Sequence, residues 1–148
     1  YRPDLMQERI ALNESYGIPL DRYCTFVHPS VMVARSARLG YGTAIMANSV
    51  VNPGAVIGNH CSVHSGSLVG HDTHMGNNNF LAAHVAMGSN CRIGHGNFFG
   101  LNSSFNNYLN IGDGCFVAMA SNVIKDIPDG IRVLGNPAKP FDRPVKPL

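Results

Sequence analysis

The chain has 148 residues, the length of one ordinary domain. Charged residues make up 14% and the net charge is +2, so the charge pattern indicates no nucleic-acid partner. No apolar run approaches the roughly 18 residues that span a bilayer, and no secretory signal opens the sequence. Because the chain starts at Tyr1 rather than Met, we expect a processed form or a fragment.

The first predicted element is a short helix over residues 3–16, with Pro3 suited to its first turn and Gly17 to the position just past its end. The residues of its apolar stripe, which we expect to pack against the domain, are Leu5, Ile10 and Leu12. Residues 18–30 are predicted to be a linker. The helix and linker together form an N-terminal segment, residues 1–30.

A six-residue repeat then runs without insertion from Val31 to Asp126. In all 16 hexads the third residue is large and apolar, the first is mostly small, and the fourth is Gly in eight hexads. A period of six fits neither an α-helix nor a long strand, but it fits a short strand followed by a turn. We expect Gly or Asn to supply a left-handed turn residue at each corner.

Three hexads close one triangular coil, so residues 18 apart stack at a spacing of about 4.8 Å. The repeat therefore predicts an all-β fold, a parallel β-helix of about five coils over residues 31–126. The period alone does not determine its hand. One large and one small side chain per hexad point inward.

Four cysteines occur without a CxxC pair: Cys24, Cys61, Cys91 and Cys115. We expect reduced thiols in a cytoplasmic protein. The last three fall on the small inward position of the repeat, which favours a structural role.

The repeat stops where Pro128 interrupts the strand pattern. Residues 127–148 are predicted to form a tail that covers the open end of the β-helix, an edge that would otherwise invite pairing with another chain. Its basic residues form either a solvated surface or a cradle for phosphates, and they are Arg132, Lys139, Arg143 and Lys146.

A prism this regular is expected to have no deep pocket of its own, so a site must lie on its faces or corners, between subunits. One corner carries a column of small and apolar residues: Ser65, Ala83, Leu101 and Met119. This column suits either a groove for a thin ligand arm or plain subunit packing.

The seven histidines are candidates for proton transfer near neutral pH, although each taken alone is more typical of a satisfied surface residue. His71 is followed by Asp72 at a corner, where a carboxylate can orient the imidazole. His84 lies beside the apolar column. The others within the repeat, which we place elsewhere on the prism, are His60, His64, His74 and His95. No two of the repeat histidines are 18 or 36 residues apart, so their spacing indicates no zinc site within one chain.

The hexads resemble those of the left-handed β-helix acyltransferases, and GNPAK at 135–139 resembles the segment that ends many of these acetyltransferases. Three further markers resemble the sialic acid and bacillosamine sugar acetyltransferase group. They are HPS at 28–30, the Asn-Pro-Gly turn at 52–54 and GHD at 70–72.

The resemblance implies a homotrimer with active sites between subunits and acetyl-CoA lying along the coils. It implies that His71, with Asp72 beside it, is the general base for direct acetyl transfer to an amino or hydroxyl group of a sugar or nucleotide sugar. That reaction would serve polysaccharide biosynthesis, without a metal.

The coenzyme-binding residues implied by the resemblance and the corner column are Phe80, Ala83, His84, Leu101, Met119 and Lys139. Many family members carry a second histidine where this chain has Phe80, so we expect His84 to serve instead. Residues 1–30 resemble the last helix of the family's nucleotide-binding domain.

Two other function classes remain open. One is a zinc lyase of the γ-carbonic anhydrase kind, which uses three histidines across a subunit interface on the same prism. The other is a non-catalytic structural or binding β-helix, which would present a rank of identical side chains on one face.

Overall fold

The computed structural model describes residues 6–142. One α-helix, α1, spans Met6–Ser15, and a single 3₁₀ turn spans Leu20–Arg22. The strands are β1 Phe26–Val27, β2 Met32–Val33, β3 Arg38–Leu39, β4 Ala44–Ile45, β5 Val50–Val51, β6 Val56–Ile57, β7 Ser62–Val63, β8 Leu68–Val69, β9 His74–Met75, β10 Phe80–Leu81, β11 Ala86–Met87, β12 Arg92–Ile93, β13 Phe98–Phe99, β14 Ser104–Phe105, β15 Asn110–Ile111, β16 Phe116–Val117, β17 Asn122–Val123, β18 Arg132–Leu134 and β19 Lys139–Pro140. No helix in the described part of the chain has the length and apolar character needed to cross a bilayer.

The strands form three parallel sheets that make the three faces of a prism. Sheet A has the order β1-β4-β7-β10-β13-β16-β18-β19, sheet B runs from β2 to β17, and sheet C runs from β3 to β15. Paired residues within the repeat are 18 apart, as in Phe80↔Phe98. This register confirms the predicted parallel β-helix.

The prism has about six coils, one more than predicted. The added strand is Phe26–Val27, which pairs with Ala44–Ile45 and lies within the segment predicted to be a linker. The reason is that Thr25-Phe26-Val27 already follows the repeat, with a small residue first and an apolar residue third. The hexad pattern therefore begins before residue 31.

The interior of the prism is built from the first and third residues of each hexad. Third-position side chains such as Leu81 and Phe99 are fully buried. Cys61, Cys91 and Cys115 are buried, as predicted. The Cys61 thiol donates a hydrogen bond to the Gly76 carbonyl over 3.2 Å. Burial raises the pKa of the Cys61 thiol to about 11, so this thiol stays protonated and structural.

Each corner from residue 42 to residue 120 contains a residue with positive φ, as predicted, but Gly and Asn do not fill all of these positions. The exceptions are His60, Asp72, His84, Tyr108 and Ala120. The stacking of neighbouring coils fixes these turns even where the local residue type disfavours the left-handed region.

Helix α1 packs on sheet A through Met6, which is buried against Phe80 and Ala82. The predicted apolar stripe is wrong at Leu12, which is 53% exposed, because only the first turn of the helix makes this buried contact. Leu5 and Pro3 lie outside the described residues.

The tail pairs with the strand edges of the last coil. β18 continues sheet A in parallel next to β16, and β19 folds back antiparallel on β18. The Asn122 N–H donates to the Gly135 carbonyl, and the Ala138 N–H donates to the Asn122 carbonyl. The tail therefore also pairs with backbone groups at the edge of sheet B. Arg143 and Lys146 lie outside the described residues.

Leu81→Ala should lower the free energy of unfolding by about 2–5 kcal/mol, because it opens a cavity inside the stacked coils. Leu12→Ala makes the same chemical change at an exposed position and should cost less than about 0.5 kcal/mol. Urea denaturation of both variants measures the difference. Equal losses would contradict the assignment of Leu81 to the core and Leu12 to the surface.

Candidate active site

An apolar groove of about 410 Å³ runs along the corner between sheets A and B. Its lining residues are His64, Phe80, Ala82, Ala83, Phe98, Gly100, Leu101, Phe116, Ala118 and Met119. The sequence predicted no deep pocket within a single prism but allowed a groove at this corner, and the open groove lies there. The groove forms because one column of side chains is small and the next column is large, and stacking repeats this difference in each coil.

The floor and walls of the groove are columns of residues 18 apart. The floor is small because Ala82, Gly100 and Ala118 occupy it. One wall is a ladder of Phe80, Phe98 and Phe116, whose successive ring centroids are 5.3 Å apart and whose planes are nearly parallel. Stacked rings at this separation attract each other, so the three rings stabilise one another along this wall.

The other wall contains the corner residues Ala83, Leu101 and Met119. Leu101 is 45% exposed and Met119 is 64% exposed. Adjacent large apolar side chains with this much solvent exposure are typical of surfaces that bind a ligand or another protein. The structure therefore brings together Phe80, Ala83, Leu101 and Met119, four of the residues predicted to bind a coenzyme.

Two other predicted coenzyme contacts lie off the groove. His84 has φ of +60°, and its imidazole lies so close to Gly66 that a Cβ there would be 2.5 Å from Nδ1. The ring therefore stacks over the previous coil instead of turning into the groove. Lys139 is exposed on β19, two strands of sheet A beyond Phe116.

His64 lines the groove, and the prediction that it lies elsewhere on the prism is wrong. Its ring lies 4.5 Å from that of Phe80, centroid to centroid. Burial lowers the pKa of the His64 imidazole below its ordinary value. The signal was present in the register, because His64 lies 18 residues before the floor residue Ala82.

The predicted His71–Asp72 pair lies at the corner between sheets B and C. His71 Nδ1–H donates to Asp72 Oδ2 over 2.9 Å, and the two side chains are 54% and 60% exposed. With Nδ1 held by the carboxylate, Nε2 carries the free lone pair, on a side chain that is more than half exposed. This arrangement can accept a proton from a bound substrate.

Neighbouring coils hold the turn that carries this pair. Asp72 has φ of +57°, and its backbone N–H donates to the carbonyl of Pro53 over 3.0 Å. A Cβ at Gly54 would collide with the Asp72 carboxylate, so glycine there leaves room for it. Arg92 Nη1 donates to the Asp72 carbonyl over 3.0 Å from the following coil.

The groove and the His71–Asp72 pair lie on different corners of the same prism. Strands of sheet B, including Leu68–Val69 in the coil of His71, separate the two corners. A single chain therefore does not bring its proton acceptor to its own groove. Within residues 6–142, no group of three His, Cys, Asp or Glu side chains is placed to hold a metal ion.

The fold is the left-handed parallel β-helix built from hexapeptide repeats. Residues 36–71 match the family described as bacterial transferase hexapeptide (six repeats). By sequence, no curated protein matches the chain at a significant level.

Solved structures extend the likeness to most of the chain. A histidine-to-asparagine mutant of perosamine N-acetyltransferase from Caulobacter crescentus, in complex with CoA and GDP-perosamine, is 27% identical with a TM-score of 0.84. The match covers 95% of this chain and 66% of that one. The acetyltransferase domain of PglB from Neisseria gonorrhoeae FA1090, in complex with acetyl coenzyme A, is 29% identical with a TM-score of 0.82.

The PglB match covers 92% of this chain and 65% of that chain. Serine acetyltransferase (CysE) from Neisseria gonorrhoeae is 30% identical, with a TM-score of 0.53 and coverage of 80% and 43%. The chain thus spans about two thirds of the length of its sugar acetyltransferase neighbours. These findings confirm the resemblance to the hexapeptide-repeat sugar acetyltransferases.

The lowered pKa of His64 predicts a pH dependence of stability. The unfolded chain binds this proton at a higher pH than the folded chain, so stability is lost as pH falls through the unfolded pKa toward the folded one. His64→Gln removes the titrating group and should reduce the loss of stability between pH 7.5 and 5.5 in urea denaturation. An unchanged loss of stability in His64→Gln would contradict the assignment.

Proposed function

We propose that the protein is a CoA-dependent acetyltransferase that transfers an acetyl group to an amino or hydroxyl group of a sugar or nucleotide sugar. The observation that carries the proposal is the likeness, over nearly the whole chain, to acetyltransferases solved with CoA or acetyl coenzyme A. The same β-helix carries an apolar groove and an exposed His–Asp pair. The reaction needs a surface that binds the coenzyme and a group that accepts a proton, and these two features can serve those roles.

The groove is the binding surface for the pantetheine arm of the coenzyme. The arm is thin and largely apolar, and the Phe80 and Leu101 walls offer it apolar contact on both sides. Beyond Phe116, sheet A continues into β18 and β19, which carry Arg132 and Lys139. These cations favour an orientation with the coenzyme phosphates at the C-terminal end of the groove.

His71 is the general base. Its Nε2 takes the proton from the acceptor amine or hydroxyl as that group attacks the thioester carbonyl. The new C–N or C–O bond forms and the C–S bond breaks, and the proton then passes to the CoA sulfur. Asp72 holds Nδ1–H and stabilises the imidazolium between these steps.

An acyl-enzyme is not needed. The inward cysteines are buried among the coils, and the raised pKa of Cys61 keeps its thiol protonated. Direct transfer from acetyl-CoA to the acceptor, with both bound at once, requires only the groove and the His71–Asp72 pair.

The complete site is formed between two copies of the chain in a cyclic homotrimer. The support for this is the separation of the groove and the base on different corners, together with the exposed apolar side chains of Leu68, Leu101 and Met119. The corner with His71 of one copy would face the groove of the next. With acetyl-CoA and a nucleotide sugar as substrates, the proposal assigns the reaction to the cytoplasm, in the synthesis of polysaccharide.

His71→Ala should lower kcat by about 10²–10⁴-fold, because general base catalysis contributes about that much. KM for acetyl-CoA should change little, since His71 does not line the groove. The measurement is CoA release with amino-sugar nucleotides as acceptors. The proposed role is excluded if His71→Ala retains wild-type kcat with the acceptor that the wild-type protein uses.

Mixing two inactive variants tests the shared site. Ala118→Phe should fill the groove and His71→Ala should remove the base, so each homotrimer should be inactive. If subunits exchange at random, about a quarter of the interfaces pair an intact groove with an intact base, and activity returns to that extent.

Sedimentation of each variant serves as the control and should give three times the 15.9 kDa of one chain. A site contained within one subunit would show no recovery on mixing. A mass of one subunit would exclude the trimer and the shared site together.

A further inference from the structure

We propose that His64 binds the acyl carbonyl of the thioester, donating a hydrogen bond from its imidazole to the carbonyl oxygen. This inference rests on the proposed function and identifies the group that distinguishes an acylated coenzyme from the free thiol. It assigns a role to a histidine that stands apart from the His71–Asp72 pair.

Among the described residues that line the groove, His64 alone has a polar side chain, and every other one is apolar or glycine. In an apolar groove, a single polar side chain fixes the orientation of a ligand by pairing with its polar atom. The polar atom of an acyl-pantetheine thioester nearest its reactive carbon is the carbonyl oxygen.

The position of His64 along the prism matches the reacting end of the ligand. His64 lies at the N-terminal end of the groove, whereas Arg132 and Lys139 lie in the strands beyond its C-terminal end. A coenzyme with its phosphates near those cations directs its thioester toward His64.

The coil level of the general base agrees with this direction. His64 and His71 belong to the same coil, since His64 follows β7 and His71 follows β8. The rotation that relates subunits of a cyclic trimer, about an axis parallel to the prism, leaves the height of each coil along that axis unchanged. In a trimer of side-by-side coils, the neighbour's base therefore comes to the level of His64, at the end of the groove where the thioester lies.

The environment of His64 favours a neutral donor. Its ring packs against Phe80 at 4.5 Å, and in the described part of the chain neither ring nitrogen has a hydrogen-bond partner. Burial lowers the imidazole pKa, so near neutral pH one nitrogen carries a proton and the ring is uncharged. A fixed N–H at this point would stabilise the oxyanion that forms when the acceptor attacks.

The test compares the binding of acetyl-CoA and free CoA by calorimetry, alongside kcat, in the full chain. His64→Leu should weaken acetyl-CoA binding about tenfold, the equivalent of one net hydrogen bond, and should leave CoA binding unchanged. It should also lower kcat by about 10²–10³-fold, as loss of one oxyanion donor does. His64→Gln retains an N–H donor and should recover part of both losses.

His60→Leu is the matched control, because His60 also packs its ring 4.5 Å from an aromatic ring, that of Tyr23, but at a different corner. It should leave both affinities and kcat at wild-type values. A merely structural role for His64 would weaken CoA and acetyl-CoA equally.

Equal weakening of the two ligands, or wild-type behaviour of His64→Leu while the wild-type protein transfers acetyl groups, would overturn this inference alone. A wild-type protein that binds neither ligand would overturn the proposed function and this inference with it.

Discussion

The stacking of each backbone coil on the next constrains everything else in this molecule. Each coil hydrogen-bonds to the next, as the Phe80 N–H does to the carbonyl of Asn97, and the register sets Phe80 beside Phe98, 18 positions away. At many turns the coils approach so closely that only glycine fits, and a Cβ on Gly76 would lie 2.7 Å from the carbonyl oxygen of Gly94. The position of each side chain is therefore set by its coil and its place in the hexad.

The same constraint explains how a regular prism acquires a groove. Residues in one column are one coil apart, so a feature that recurs every 18 residues becomes a continuous surface. Alanine and glycine in one column and phenylalanine in the adjacent column produce a floor and a wall. The length of the groove is set by the number of coils that have a small residue in the floor column. The groove begins at the coil of His64, because there an imidazole replaces the small residue of that column.

The periodicity predicted the inward residues, the sheets and the corner of His71, because these depend only on the hexad register. The same register also places His64 in the groove, because His64 lies one coil before Ala82 in the same column. The direction of the His84 ring could not be read from its neighbour Ala83, because the left-handed backbone of His84 turns the ring over Gly66. The packing of Met6 rather than Leu12 depends on how helix α1 meets sheet A, which the helix sequence does not encode.

A fold whose corners are tight turns can place only one or two functional side chains at each corner. The His71–Asp72 pair uses such a turn well, because the left-handed backbone of Asp72 is one that Asp tolerates, and here it brings the carboxylate to Nδ1 of the preceding ring. The groove needs several coils of a different corner. Under the proposed function, the two can meet only when the corner of one copy faces the groove of another, so the geometry of the single chain makes catalysis a property of the assembly.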